Sequence, residues 1–242
     1  MQPPATFVYL EHDGKVLLVD QKGNGPQVPT PGRKSGKIRL RLPTTKEVQL
    51  MGIGYQQKGR ITIDWGDNKH LIDRGYPKID WPEDWAWKDQ CVADSGVDPV
   101  VRECIYRSLH RLVSKVIVHN EQGEVLMAKA ERGHFTGHWT LPGGYMDHNE
   151  HPSTGCVREA LEELGLNLEL SSHAPVITQR MFNDDGISFV SFTYDASWGG
   201  DLTSLDLLVG EISEARWFPA QDALSAAVSH FDLEALQAFV NR

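Results

Sequence analysis

Four glutamates in one short stretch decide what chemistry this chain could do. Glu159, Glu162 and Glu163 stand at i, i+3 and i+4, so on a helix their carboxylates share one face. Like charges that close destabilise a helix unless something positive sits over them. A hard divalent cation held by oxygen ligands meets that need, and a solvated acidic face is the plainer alternative. Glu150 precedes the run and Arg158 lies among the acids. The pairing expected for Arg158 is with Glu150, tying a loop to the helix, and since an exposed ion pair stabilises little, its use would be positional. Upstream, Gly143 and Gly144 let backbone come close to whatever the carboxylates hold.

The helix that must carry these groups has readable ends. Pro152 suits a first turn, where its missing N–H would be unpaired anyway, and Gly165 suits the residue past a helix end. Val157, Leu161 and Leu164 give it an apolar side. Around it the chain reads as strands. A hairpin is expected over Ser114–His119 and Glu124–Lys129 about Gln122-Gly123, a strand pair over Pro175–Phe182 and Ile187–Ala196 about the turn Asn183–Gly186, and a strand over Ala215–Phe218. Helices are expected at Asp222–Val228 and Leu233–Val240. This mixture describes an α/β or α+β sandwich with a mixed sheet.

Before this part comes a smaller, mainly β region. Residues 6–20 read as a hairpin about Asp13-Gly14, followed by a Gly- and Pro-rich loop. Lys37–Leu42 alternates as a half-buried strand, and short strands are expected at Val48–Ile53 and Arg60–Trp65. Trp81, Trp85 and Trp87 crowd a Pro-rich stretch and are expected to cover a domain junction, with a binding patch as the alternative. Asp98 as N-cap and Pro99 at N1 open a helix that fits through Leu112 and joins the two parts. The division expected is residues 1–97, a connecting helix at 98–112, and a domain at 113–242. FVYLEHDGKVLLVD matches VIVHNEQGEVLMAK in pattern, with Gly14 opposite Gly123 and Thr30-Pro31-Gly32 opposite Leu141-Pro142-Gly143. Either the N-terminal part is a decayed copy of the start of the second, or two hairpins share their chemistry by chance. No acidic helix follows Gly32.

The chain has 242 residues, 40% of them apolar and 24% charged, which suffices for one large domain or two small ones with a packed core. A net charge of −9 argues against nucleic acid or an anionic membrane as the main partner. No apolar run approaches a membrane span, and the N-terminus lacks the pattern of a secretory signal. Cys91, Cys104 and Cys156 are odd in number and widely spaced, so reduced thiols and a cytoplasmic location are expected.

Gly144, Glu150, Arg158, Glu159, Glu162, Glu163 and Gly165 together fit every fixed position of G-x5-E-x7-R-E-U-x-E-E-x-G-U, with Leu166 as the closing aliphatic and Ala160 smaller than usual. This stretch resembles the signature of the Nudix (MutT-like) hydrolases, and the likeness covers about residues 113–242. Trp139-Thr140-Leu141-Pro142-Gly143 before it and Ala215-Arg216-Trp217-Phe218-Pro219 after it resemble the family's flanking segments. The resemblance implies an α/β/α sandwich and metal-dependent hydrolysis of a nucleoside diphosphate linked to another moiety, by water attack on phosphorus. It implies Glu159 and Glu163 as principal Mg²⁺ ligands (Mn²⁺ being an alternative), Glu162 sharing the metal, and the Gly143 carbonyl as a further ligand. Glu159 is the first choice of general base and Glu211 or Glu214 the alternative, with Arg158 and Glu162 counted in the catalytic set. Arg132, His134 and Trp139 are candidates for a nucleoside pocket, against core packing for the aromatics. His151 departs from the family's Ser or Thr helix cap, and His134, His138, His148 and His151 crowd the region without a ligand spacing on one helix. A binding or regulatory module of the same fold without strong catalysis is the competing class, and homodimerisation is one of several roles open to the N-terminal part.

Overall fold

A computed structural model of the chain describes residues 6–182 and 187–242, which form two compact units, 6–109 with Ile187, and 110–182 with 188–242. The turn expected at Asn183–Gly186 lies outside the described residues.

The N-terminal unit contains β1 (Phe7–His12), β2 (Lys15–Val16), β3 (Val19–Asp20), β4 (Leu40–Arg41), α1 (Thr45–Leu50), β5 (Tyr55–Trp65), β6 (Asn68–Pro77), β7 (Ala86–Trp87), α2 (Lys88–Val92) and α3 (Pro99–Arg107). The β1–β2 turn needs two residues of positive φ, which Asp13 and Gly14 supply (φ 45° and 85°). The sheet runs β5-β6-β1-β2-β7, with β6 parallel to β1 and the other pairings antiparallel. One face packs Tyr9, Val16, Leu18, Leu40 and Leu42 with Val101, Cys104 and Ile105 of α3, and the other packs Val8, Leu10, Leu17 and Trp85 with Val48 of α1.

Three expectations for this unit are corrected. Val48–Ile53 is not a strand: Thr44 caps α1 through Glu47 N–H, and Glu47 returns a bond from the Thr44 N–H, so local capping prevails over the β-branched residues. Strand pairing in the Lys37–Leu42 segment is confined to Leu40 and Arg41, opposite Asp20 and Val19, and Ile38 is exposed. The helix from Pro99 stops at Arg107 with Ser108 as its cap, since from His110 the chain pairs in the second sheet. Its buried side, Val100 to Ile105, belongs to the N-terminal core.

The C-terminal unit contains β8 (His110–His119), β9 (Glu124–Ala130), β10 (Trp139–Thr140), β11 (Gly143–Tyr145), α4 (Pro152–Leu164), β12 (Val176–Phe182), β13 (Ile187–Ser197), β14 (Ile212–Pro219), α5 (Ala220–Ala226) and α6 (His230–Val240). Its sheet runs β10-β9-β8-β13-β12, with β13 parallel to β8, β11 antiparallel to β8 and β14 antiparallel to β9. Alternate residues of β8 and β9 face opposite layers, as the period of two requires. Val116, Val118, Leu126 and Ala128 pack on Cys156, Ala160 and Leu164 of α4, while Ile117, Val125 and Met127 pack on Ala223, Ala235 and Leu236 of α5 and α6. The result is a mixed sheet between helical layers. All three cysteines are free and buried, and no helix of the described residues is long and apolar enough to cross a membrane.

Candidate active site

The acidic cluster is built by α4 and the backbone beneath it. His151 caps α4, its Nδ1 accepting from Ser153 N–H at 3.3 Å, so the histidine does the work of a Ser or Thr. Gly165 ends the helix with φ 70°. Below α4, β11 brings the backbone of Gly143 against Lys115 of β8. A Cβ on Gly143 would lie 2.3 Å from the Ser114 carbonyl oxygen, and φ there is +139°. A Cβ on Gly144 would lie 2.7 Å from the Glu159 carboxylate. The approach of backbone to carboxylates expected at these glycines is therefore present.

Arg158 is the hub of the polar network. Its Nε and second terminal nitrogen hold both oxygens of Glu150 at 2.9 and 3.0 Å, the remaining nitrogen reaches Glu159 at 2.8 Å and Glu162 at 2.9 Å, and Tyr145 O accepts at 3.0 Å. The Arg158 guanidinium holds Glu150 below the usual carboxylate range. Glu150 also accepts from Asp147 N–H at 3.0 Å, which closes the loop onto the helix.

Glu163 differs from its neighbours. It takes no part in the Arg158 network; its Oε2 accepts from Gly143 N–H at 3.0 Å. Burial pushes its carboxyl up to about 7, against the lowering effect of that N–H, and Glu159 and Glu211 raise it further. Glu159 is also raised, chiefly by burial and despite Arg158. A desolvated carboxylate beside other carboxylates is a group short of positive charge.

The late-loop candidates separate cleanly. Glu211 adds to the negative field at both Glu159 and Glu163, and its carboxylate pairs with Arg132. Glu214 turns to Arg216 at 2.5 Å instead. Arg132 is thereby tied to the loop that carries Glu211. His134 stands edge-on to Phe135 in the same connection, 131–138. Trp139 packs edge-on against Phe218 at 5.0 Å, with Arg216 at 5.2 Å from its ring, on the α5–α6 side of the sheet.

A buried pair missed by sequence reasoning underlies the cluster. Lys115, the Cα partner of Gly143, faces Asp232 of α6 at 2.6 Å, with the Asp232 side chain fully buried. The charges meet without the alignment of a hydrogen bond, while Asp232 Oδ2 accepts from Leu141 N–H at 3.1 Å. Lys115 also lowers Glu163, so it is the cation closest in effect to that carboxylate. The signal available was a lysine set directly before the apolar Val116-Ile117-Val118 of an expected core strand.

The donor set suits a hard cation: three clustered carboxylates, one of them desolvated, next to a strand-edge backbone that carries the Gly143 carbonyl. Among the described residues no three His, Cys, Asp or Glu side chains converge as a finished cage, because Glu159 and Glu162 are turned onto Arg158 and Glu163 onto Gly143.

The NUDIX domain family matches residues 109–239. The chain is similar to a Bacillus subtilis (strain 168) protein named "Putative 8-oxo-dGTP diphosphatase", 39% identical over 70 residues that cover 29% of this chain and 45% of that one. It is also 39% identical over 62 residues to a "MutT-like protein" of Streptomyces ambofaciens, covering 26% of this chain and 38% of that one. The chain spans less than half the length of these curated relatives. Among solved structures, a MutT NUDIX hydrolase from Burkholderia pseudomallei matches 53% of this chain and 97% of its own, with 25% identity and a TM-score of 0.47.

Proposed function

Since the chain belongs to the NUDIX domain family over residues 109–239, we propose that its C-terminal unit hydrolyses a phosphoanhydride bond in a nucleoside diphosphate linked to another moiety. Glu159 and Glu163 would be the principal ligands of Mg²⁺ or Mn²⁺, with Glu162 sharing the metal and the Gly143 carbonyl adding a further oxygen. The observation that carries this reading is Glu163, a buried carboxylate raised to about 7 and set against Gly143 N–H beside Glu159. When bound, the ion supplies charge neutralisation across phosphate oxygens, which phosphoryl transfer needs most.

The chain's own groups do the rest. Arg158 fixes Glu150, Glu159 and Glu162 in one network, so the carboxylates are placed before substrate arrives. Glu159 is the proposed general base: its raised pKa brings it nearer to the range in which a carboxylate takes a proton from water effectively. Glu211 is the alternative base, supported by its influence on both Glu159 and Glu163. Arg132 and His134 lie in the 131–138 connection that Glu211 contacts, and we assign them to substrate contact; Trp139 packs on Phe218 on the α5–α6 side of the sheet and is not brought to the carboxylates.

The name of the Bacillus subtilis relative makes 8-oxo-dGTP and dGTP the first substrates to try. The test is product release from a panel of nucleoside triphosphates, ADP-ribose, nucleotide sugars and dinucleoside polyphosphates with Mg²⁺. Turnover in the wild type that disappears in Glu163→Gln supports the reading; equal turnover in the variant overturns the site. Homodimerisation of the full chain is a separate proposal, and sedimentation at two concentrations decides it.

A further inference from the structure

The two units match strand for strand. In each, the second strand of a long hairpin (β5–β6, β12–β13) lies parallel to the first strand of a short one (β1–β2, β8–β9), and a late strand (β7, β14) pairs antiparallel with the second. The correspondence reaches single hydrogen bonds. Val8 N–H donates to Pro43 O at 2.8 Å as Val116 N–H donates to Pro142 O at 3.0 Å. Isolated parallel bridges join Leu40 to Val97 and Trp139 to Ala227. Faces agree as well: Val8, Leu10, Leu17 and Trp85 look towards α1 where Val116, Val118, Leu126 and Trp217 look towards α4. In this register Leu42-Pro43-Thr44 corresponds to Leu141-Pro142-Gly143, which replaces the match expected for Thr30-Pro31-Gly32.

Two segments break the correspondence. Where the acidic helix should follow, α1 starts directly after Thr44, is short, and spends its Glu47 on Arg41 and the Thr44 N–H. The connection at 131–138 becomes the longer 21–39, which holds Lys22, Arg33, Lys34, Lys37 and Arg39 and no acid, in a protein of net charge −9. This loop is held in place. Arg33 pairs bidentately with buried Asp94, Ser35 N–H donates to Ser95 Oγ at 2.6 Å, and Arg39 N–H donates to Gly96 O at 2.7 Å. Ser35 Oγ donates to Lys37 O at 2.7 Å and accepts from Arg39 Nε at 3.4 Å, which ties the backbone at Lys37 and the Arg39 side chain to the same hydroxyl. Lys34, Lys37 and Arg39 are exposed and make no ion pair with the described residues.

We propose that residues 6–109 are a second copy of the fold, without a metal site, whose 21–39 loop binds a phosphate-rich anion directly through Lys34, Lys37 and Arg39. In the C-terminal unit a metal would offset phosphate charge; here exposed cations on an anchored loop would do so, and the 21–39 loop itself carries no carboxylate. The comparison of roles rests on the proposed function of the acidic helix, but the binding itself does not require turnover.

The test is calorimetric titration of the full chain with inorganic tripolyphosphate, and separately with ADP, in EDTA at low salt. The expected result is one ion bound per chain, weakening as salt rises, unchanged in Glu163→Gln and at least tenfold weaker in the triple variant Lys34→Ala, Lys37→Ala, Arg39→Ala. The three side chains are exposed, so the variant should keep the wild-type circular dichroism. No metal-free binding, or wild-type binding by the triple variant, overturns the proposal. Loss of hydrolysis in Glu163→Gln is read separately, so the two ideas fail independently.

Discussion

Asp232 of α6 reaches across the C-terminal unit to Lys115 of β8 and meets it at 2.6 Å, inside a layer that is otherwise apolar. Removing either partner leaves a buried charge without its counterpart, which costs about 3–5 kcal/mol. Asp232→Ala should therefore lower the urea midpoint strongly. The double variant Lys115→Met, Asp232→Leu should recover much of that loss, because the uncompensated charge is gone. A double variant no more stable than the single one would show that the pair is not the source of the effect.

Glu163 makes the metal-free protein sensitive to pH. Its folded carboxyl is raised from 4.5 to about 7, so the unfolded chain ionises first as pH rises. The stability difference is fully present below pH 4.5, falls through the interval up to about 7, and is flat above. The drop is on the order of 3 kcal/mol. Denaturation midpoints in EDTA across this interval, wild type against Glu163→Gln, should converge in acid and separate in favour of the variant near neutrality. A constant gap would contradict the assigned burial.

Gly143 and Gly144 should fail in different ways when changed to alanine. At Gly143 the added Cβ meets backbone at 2.3 and 2.6 Å with φ +139°, so the β8–β11 pairing must give and stability should fall by about 1–3 kcal/mol or more. At Gly144 the nearest atoms it meets are those of the Glu159 carboxylate, the far end of a side chain that can swing away. Gly144→Ala should keep its thermal midpoint within a few degrees yet lose turnover about tenfold or more by displacing Glu159. Differential scanning fluorimetry beside an activity assay separates the two.

Arg158→Lys keeps the charge and loses the fork. Lysine cannot hold both oxygens of Glu150 while reaching Glu159 and Glu162. We expect kcat to fall about tenfold or more with a small change in stability, since the ion pairs are partly solvated. A wild-type kcat in this variant would mean that the network does not place the carboxylates.

What could be read from sequence was local. Pro152 and Gly165 bound α4 as their backbone preferences dictate, and Asp13-Gly14 makes the tight turn its residue types call for. The Arg158–Glu150 tie followed from charges one loop apart. Long-range relations were out of reach: nothing near Lys115 in the chain announces Asp232, and the parallel β6–β1 and β13–β8 pairings join segments far apart in sequence. The mistaken strand at Val48–Ile53 had a local remedy, since Thr44-Thr45-Lys46-Glu47 carries a capping box that outweighs the alternation after it. The proposed repeat has its sequence trace in the two hairpins but slips at the proline, because the long loop 21–39 offers Pro31 before Pro43.

The Thr44 position has a consequence for anyone wishing to arm the N-terminal unit. Exchanging single residues of α1 for glutamates would give carboxylates on a helix of 6 residues, too short to gather them, after a threonine that is already spent as its cap. A transplant would have to cut at Pro43, import the segment from Gly143 through Leu166, and rejoin before Tyr55. The matched carbonyls of Pro43 and Pro142, each bonded to the first strand of its unit, mark where the first cut falls.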